Sequence, residues 1–179
     1  VRIGPSPKWL AKRLESVGMR AINNVTDVTN YVLMELGHPL HAFDINRLAE
    51  KKIIVRRAHN GESLRTLDGQ EKRLTRNSLV IADALQPVAL AGVMGGEQTG
   101  ISDDTESILL ESAWFDPISI RSTAKQQGLR SEASFRFERG ADINMAPKAI
   151  DRAATLITEL AGGDILKGIL DVYPTKQQH

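Results

Sequence analysis

The hydrophobic period changes twice along this chain, and that change limits its architecture more than any single motif does. Near the start, apolar residues recur at helical spacing: Trp9, Leu10, Leu14 and Val17, then Val25, Val28, Val32 and Leu36. Such spacing places them on one face of a helix. Ser6-Pro7 reads as an N-cap followed by proline at the first helical position, with Gly18 closing the helix. Asn24 reads as the cap of a second helix over 25–36, and Gly37 as its terminator. The middle of the chain then turns to short runs bounded by turn signals. KKIIVRRA (51–58), SLRTL (63–67) and QEKRL (70–74) read as strands, with Asn60-Gly61 and Asp68-Gly69 as tight turns, the second in a hairpin. LVIAD (79–83), PVALAGV (87–93) and ESILLES (106–112) are more apolar and read as central strands. Helical spacing returns over 117–127, opened by Asp116-Pro117 and closed by Gly128, and over 144–160, closed by Gly162-Gly163. A last strand is expected over 164–173 and a frayed tail over 174–179.

Strands grouped in the middle and flanked by helices imply an α+β class, with antiparallel or mixed sheets flanked by helices in a compact layered domain. No repeat, low-complexity tract or linker interrupts the 179 residues, so 1–179 reads as one domain. The chain has no cysteine, which excludes disulfides and thiolate metal sites and is compatible with a reducing compartment. It lacks a run of about 18 apolar residues, so no membrane-spanning helix is expected, and VRIGPSPKWL lacks the layout of a signal peptide. A net charge of +1 argues for no polyanion by itself. Five cations, Arg121, Lys125, Arg130, Arg136 and Arg139, nevertheless fall in one stretch with only Glu132 and Glu138 against them. That stretch is either a strip facing a polyanion or a solvated surface.

Four segments could carry chemistry. In GHPLH (37–41) the proline disfavours a helical His38, so the two histidines are no helical metal pair, and no zinc signature accompanies them. One or both could cap the preceding helix through its free carbonyls, or orient a reacting group or a water. LAGVMGGEQTG (90–100) follows an apolar strand with Gly92, Gly95 and Gly96. It matches neither a P-loop nor GxGxxG. A tight structural turn is the better reading, and close approach of a ligand is the other. Glu111 interrupts an apolar strand, where alternation puts it on a face with Leu109 and Ala113. A buried carboxylate needs a partner: an arginine in a structural ion pair, or a ligand hydroxyl in a pocket. GLRSEASFRFERGAD (128–142) mixes arginines with two phenylalanines. It suits a nucleic-acid end or phosphate, or an amphipathic strand with Phe135 and Phe137 inward.

Taken in order, RAINNVTDVTNYVLMELGHPLHAFD, LRTLDG, LAGVMGG, ESAWFDP and GLRSEASFRFERG resemble the central editing module of the bacterial phenylalanyl-tRNA synthetase beta subunit. The likeness runs from about Pro5 to Asp171. It implies a piece of a longer cytoplasmic subunit that hydrolyses the ester of mischarged tyrosyl-tRNA(Phe). By the same resemblance, Glu111 would recognise the tyrosine phenol, and His41 would sit near the scissile ester. Thr29 would help to position the water, while Gly92, Ser131 and Ala133 would occupy other pocket positions. Many members carry threonine where this chain has Ser131, a change that keeps the hydroxyl and loses a methyl. His38 would be local structure or an outer support. The family implies the tRNA(Phe) acceptor end as partner, and an alpha subunit joined in a heterotetramer. It implies ATP and magnesium for the whole enzyme, with no cofactor or metal in this part. The alternatives are a catalytically silent module that holds tRNA or a subunit interface, and a free-standing deacylase.

Overall fold

The structure, a computed structural model, describes residues 1–174. Its class is α+β. Among the described residues five α-helices and eight strands follow in the order α1 (Lys8–Ser16), α2 (Thr26–Leu36), β1 (His41–Asp44), β2 (Ile54–Arg57), β3 (Ser63–Arg65), β4 (Glu71–Arg73), β5 (Leu79–Ala82), β6 (Pro87–Leu90), β7 (Met94–Gly95), β8 (Ile108–Glu111), α3 (Pro117–Gln127), α4 (Glu132–Phe137) and α5 (Met145–Ala161).

Two cores form. The helical one packs Leu10 and Leu14 of α1, Val28 and Val32 of α2, and Ala149, Ala153, Leu156 and Ile157 of α5. Small residues on α5, Ala149 and Ala153, let it pack closely against α2. The other core lies on the antiparallel sheet β2-β5-β6-β7, where Val80, Ile81, Val88 and Leu90 meet Ile120 of α3 and Phe137 of α4. The hairpin β3–β4 adds Leu64, with Leu74 just beyond it, and turns at Gly69, whose φ of 78° suits glycine.

The ribbon β1–β8 lies between the two cores. Its side chains alternate as a strand demands: Phe43 and Leu109 face the sheet core, Ala42, Ile108 and Leu110 the helical core. Most of the ribbon's hydrophobic energy is therefore spent on both faces. His41, the first residue of β1, and Glu111, the last of β8, pair at one end of the ribbon.

Several local expectations are corrected. Ser6 does not cap α1; its hydroxyl donates to Asp27 Oδ2 at 2.6 Å, and Pro7 holds the cap position. Trp9 and Val17 are exposed, Trp9 lying edge-on to Tyr31 with Arg13 over its ring. At α2 the capping oxygen belongs to Asn23, which accepts from the N–H groups of Val25 and Thr26. Asn24 instead bonds Gly4 N–H and the Arg2 and Leu160 carbonyls. The run 106–112 yields no central strand: among the described residues β8 pairs with β1 alone, and its side chains go to the two cores, Leu109 to one and Ile108 and Leu110 to the other. Residues 132–137 form a helix, not a strand. Ser131 and Ser134 close a reciprocal cap there, and that local hydrogen bonding overrides the alternation of Phe135 and Phe137. Phe137 is buried and Phe135 is 46% exposed. Residues 164–173 form no strand and are exposed. The expected tail lies, beyond residue 174, outside the described residues.

Candidate functional site

In the antiparallel register of the ribbon, His41 lies directly opposite Glu111. Opposed residues share a face, with Cβ atoms about 5 Å apart, so imidazole and carboxylate are delivered side by side. The sequence fixes this register from both ends. Gly37, in the left-handed region, stops α2, Pro39 follows three residues before Ala42, and Phe43 and Leu109 then lock the inward face.

Neither functional group is spent on the fold. Among the described residues no donor reaches the Glu111 carboxylate, so the arginine ion pair considered from sequence is absent. Burial alone raises its pKa to about 7. The Nε2 atom of His41 is buried without a hydrogen-bond partner, and burial lowers the pKa of this ring to about 4. Near neutral pH the pair is thus a neutral imidazole beside a carboxyl poised between its two forms. The His41 ring rests edge-on against Phe43, with centroids 4.3 Å apart.

Gly95 makes room for that ring. A Cβ there would strike the His41 imidazole, at 2.9 Å from Nε2, and Leu67 at 3.1 Å. Leu67 is 54% exposed and donates its N–H to the Gly95 carbonyl, forming an apolar rim beside His41. Gly95 is one of the three glycines that the sequence offers for a turn or a close approach, and what approaches it is the His41 ring; Leu67 carries no such signal in the sequence. Gly92, which was singled out, faces elsewhere. Its φ is +66° and a Cβ would meet Phe115, Ile120 and Phe137 within 3.0 Å, so its missing side chain serves the sheet core.

The other expected residues divide. Ser131 donates its hydroxyl to the Val93 carbonyl at 2.6 Å and accepts from Ser134 N–H. It thus ties α4 to the glycine loop that backs His41. Ala133 is half-buried on the first turn of α4. Thr29 is buried on α2 and donates its hydroxyl to the Thr26 carbonyl at 2.8 Å, which leaves that oxygen only acceptor capacity. His38 does not cap α2. It is fully buried, edge-on to Phe137 at 6.1 Å, and neither nitrogen makes a hydrogen bond. Burial lowers its pKa, while the nearby backbone of Ala113 and Asp142 and the Asp142 charge work against that. Among the described residues no three His, Asp or Glu side chains gather as a metal site, and no helix is long and apolar enough to cross a membrane.

A family model described as the B3/4 domain matches residues 1–162. The chain is 61% identical over 177 residues to a protein of Geobacter sulfurreducens named phenylalanine–tRNA ligase beta subunit, covering 99% of this chain and 22% of that protein. Proteins of the same name from Geobacter metallireducens and Carboxydothermus hydrogenoformans are 62% and 53% identical, over 96% and 98% of this chain and 22% of each protein. The chain thus spans about a fifth of the length of these curated relatives.

Proposed function

Since the chain belongs to the B3/4 domain family, we propose that it is the editing module of a phenylalanine–tRNA ligase beta subunit. It hydrolyses the ester of tyrosyl-tRNA(Phe) and leaves phenylalanyl-tRNA(Phe) intact. The observation that carries this reading is the unpartnered Glu111 carboxyl set opposite the unpartnered His41 Nε2.

Tyrosine and phenylalanine differ by one hydroxyl, and a purely apolar pocket separates them weakly. A site that hydrogen-bonds the hydroxyl rejects the analogue lacking it by roughly 10⁴–10⁵, because its own polar group is otherwise left unpaired. Glu111 is the residue that reads the phenol O–H, and its ionised form makes the stronger, charge-assisted acceptor. Its burial, which raises its pKa to about 7, is also what makes an apolar side chain costly there.

Hydrolysis places a water oxygen on the ester carbonyl carbon. The carbon–oxygen bond to the ribose breaks, and the ribose oxygen leaves with a proton, giving free tyrosine and tRNA. A ring with a pKa of about 4 is neutral at physiological pH, so His41 accepts a hydrogen bond from that water and orients it. Thr29 offers a further acceptor oxygen from α2. Gly92 keeps the loop in its turn, and Ser131 and Ala133 form the α4 wall. The partners are the tRNA(Phe) acceptor end and the alpha subunit of a cytoplasmic heterotetramer. ATP and magnesium serve the ligation step, assigned to the alpha subunit, and no step of the ester hydrolysis is routed through them.

The test is tyrosine release from preformed tyrosyl-tRNA(Phe) by the full ligase, with phenylalanyl-tRNA(Phe) as control. His41→Ala should slow release by about 10²-fold. Glu111→Ala should remove the preference for tyrosine while phenylalanine charging survives. Unchanged clearance by both variants would leave a binding module without editing chemistry.

A further inference from the structure

An open cleft of about 710 Å³ lies between α3, the α3–α4 turn and the residues just past α4. Arg121 and Lys125 of α3, Arg130 of the α3–α4 turn and Arg139 just past α4 line it, with Glu138 as its one carboxylate. Glu138 is already paired with Arg139. Arg121, Lys125 and Arg130 are exposed, and among the described residues none is drawn into an ion pair. In a second basic cleft, lined by Arg56, Arg57 and Arg76, two of the three arginines are committed, Arg56 to Glu62 at 2.6 Å and Arg57 to the Asn77 carbonyl and Ser119. Three like charges held together without counter-charges raise the local potential for an anion.

The cleft also has a stacking element at its edge. The Arg139 guanidinium lies 3.6 Å above the Phe135 ring, yet Phe135 remains 46% exposed. One face is held by the cation and the ring stays open to a flat partner. Free cations along a groove, followed by an exposed aromatic, form the combination that binds single-stranded nucleic acid: cations follow phosphates and the ring accepts a base. A duplex offers phosphates without an unstacked base, and an acidic peptide has little use for the ring.

We propose that the α3–α4 cleft binds single-stranded RNA, specifically the 3′ end of the tRNA, and guides it past Ser131 toward His41 and Glu111. This rests on the editing reading for the identity of the RNA. Continuity supports it: Arg130 adjoins Ser131, whose hydroxyl holds Val93, two residues before the Gly95 that backs His41.

The experiment uses the full ligase and tRNA(Phe) carrying a photoreactive nucleotide in its single-stranded 3′ end. Crosslinks are mapped by mass spectrometry, and tyrosine release is measured in parallel. Crosslinks should fall within residues 121–139. They should drop by about tenfold or more in Arg121→Gln/Lys125→Gln/Arg130→Gln, and also in Phe135→Ala, at unchanged phenylalanine charging. If the triple variant loses charging, Phe135→Ala and Arg130→Gln alone carry the test. Crosslinks only elsewhere, or undiminished in the variants, overturn the proposal and leave a solvated surface. Crosslinks at 121–139 without tyrosine release would sink the editing reading and keep the RNA cleft; release without these crosslinks does the reverse.

Discussion

Three aspartates of this chain are more deeply buried than Glu111 and yet fully used. Asp27 is 0% exposed and accepts from Ile22 N–H at 2.8 Å and the Ser6 hydroxyl at 2.6 Å. Asp44 accepts from Asn46 N–H and the Thr105 hydroxyl. Asp83 takes three backbone N–H groups, from Ala49, Leu85 and Gln86. Burial pushes the Asp83 pKa up, but those donors together outweigh it and the net shift is downward. Glu111 is only half-buried, has no such donors, and is shifted upward to about 7. A carboxylate that holds a fold together is surrounded by N–H and O–H groups; one left open in an apolar setting costs stability and awaits something outside the chain. The contrast between satisfaction and exposure, rather than burial itself, marks the site.

The hardest blow to that contrast is at Asp27. Asp27→Ala removes the acceptor of the Ile22 N–H, in the segment that leads into α2, and frees Ser6. It should lower stability by about 3 kcal/mol, read by urea unfolding. Glu111→Ala orphans no group and should stay within about 1 kcal/mol of wild type. Equal losses at the two positions would erase the distinction. Next in size come the glycines. Gly92→Ala forces a left-handed alanine into Phe115, Ile120 and Phe137, at about 2–4 kcal/mol. Gly95→Ala pushes chiefly on the movable His41 ring, so it should cost less stability while slowing tyrosine release as His41→Ala does. A variant at Gly95 that melts like Gly92→Ala but edits normally would place His41 outside the site.

How much of this was legible beforehand follows the same division. Helix α3 was readable to its ends because Asp116, Pro117 and Gly128 each do locally what their chemistry prescribes: Asp116 accepts from Ser119 N–H, and Gly128 has φ 65°. The facing of Leu109 and Leu110 followed from alternation, and so did the side on which Glu111 lies. The pairing of His41 with Glu111 did not follow, since β1 is four residues long and its partner β8 begins 64 residues past Asp44. Nor did α4, where two serines outvote two phenylalanines. Gly92 and Gly95 look alike in sequence; only the path of the chain shows that one faces the core and the other the histidine.

A smaller effect comes from charge, and its sign separates Glu111 from the aspartates. A carboxyl whose folded pKa is raised binds its proton more tightly folded than unfolded. Its contribution is present below the usual 4.5 and is lost as pH rises through about 7. His41 acts oppositely: lowered from 6.5 to about 4, it favours the fold above 6.5 and withdraws that support as pH falls through 4. Glu111→Gln should therefore melt close to wild type at pH 5 and above it at pH 8. The preference for the tyrosyl ester should also grow from pH 6 to pH 8 as Glu111 ionises, and Glu111→Gln should flatten that rise. A preference independent of pH would mean that Glu111 does not read the phenol.

The smallest effect decides on which side of the contrast Ser131 belongs. Its hydroxyl hydrogen goes to the Val93 carbonyl and its oxygen takes the Ser134 N–H, so it is spent in the manner of Asp27 rather than open in the manner of Glu111. Ser131→Ala removes the cap of α4 and should cost about 1 kcal/mol. It should slow tyrosine release only through the loosened glycine loop, raising KM more than it lowers kcat. Ser131→Thr keeps both hydrogen bonds and should restore stability and KM together. The outcome that would move Ser131 across is an alanine variant with wild-type melting and a kcat reduced as far as that of His41→Ala. The hydroxyl would then be serving the reacting ester, and its bond to Val93 would be a resting arrangement that substrate displaces.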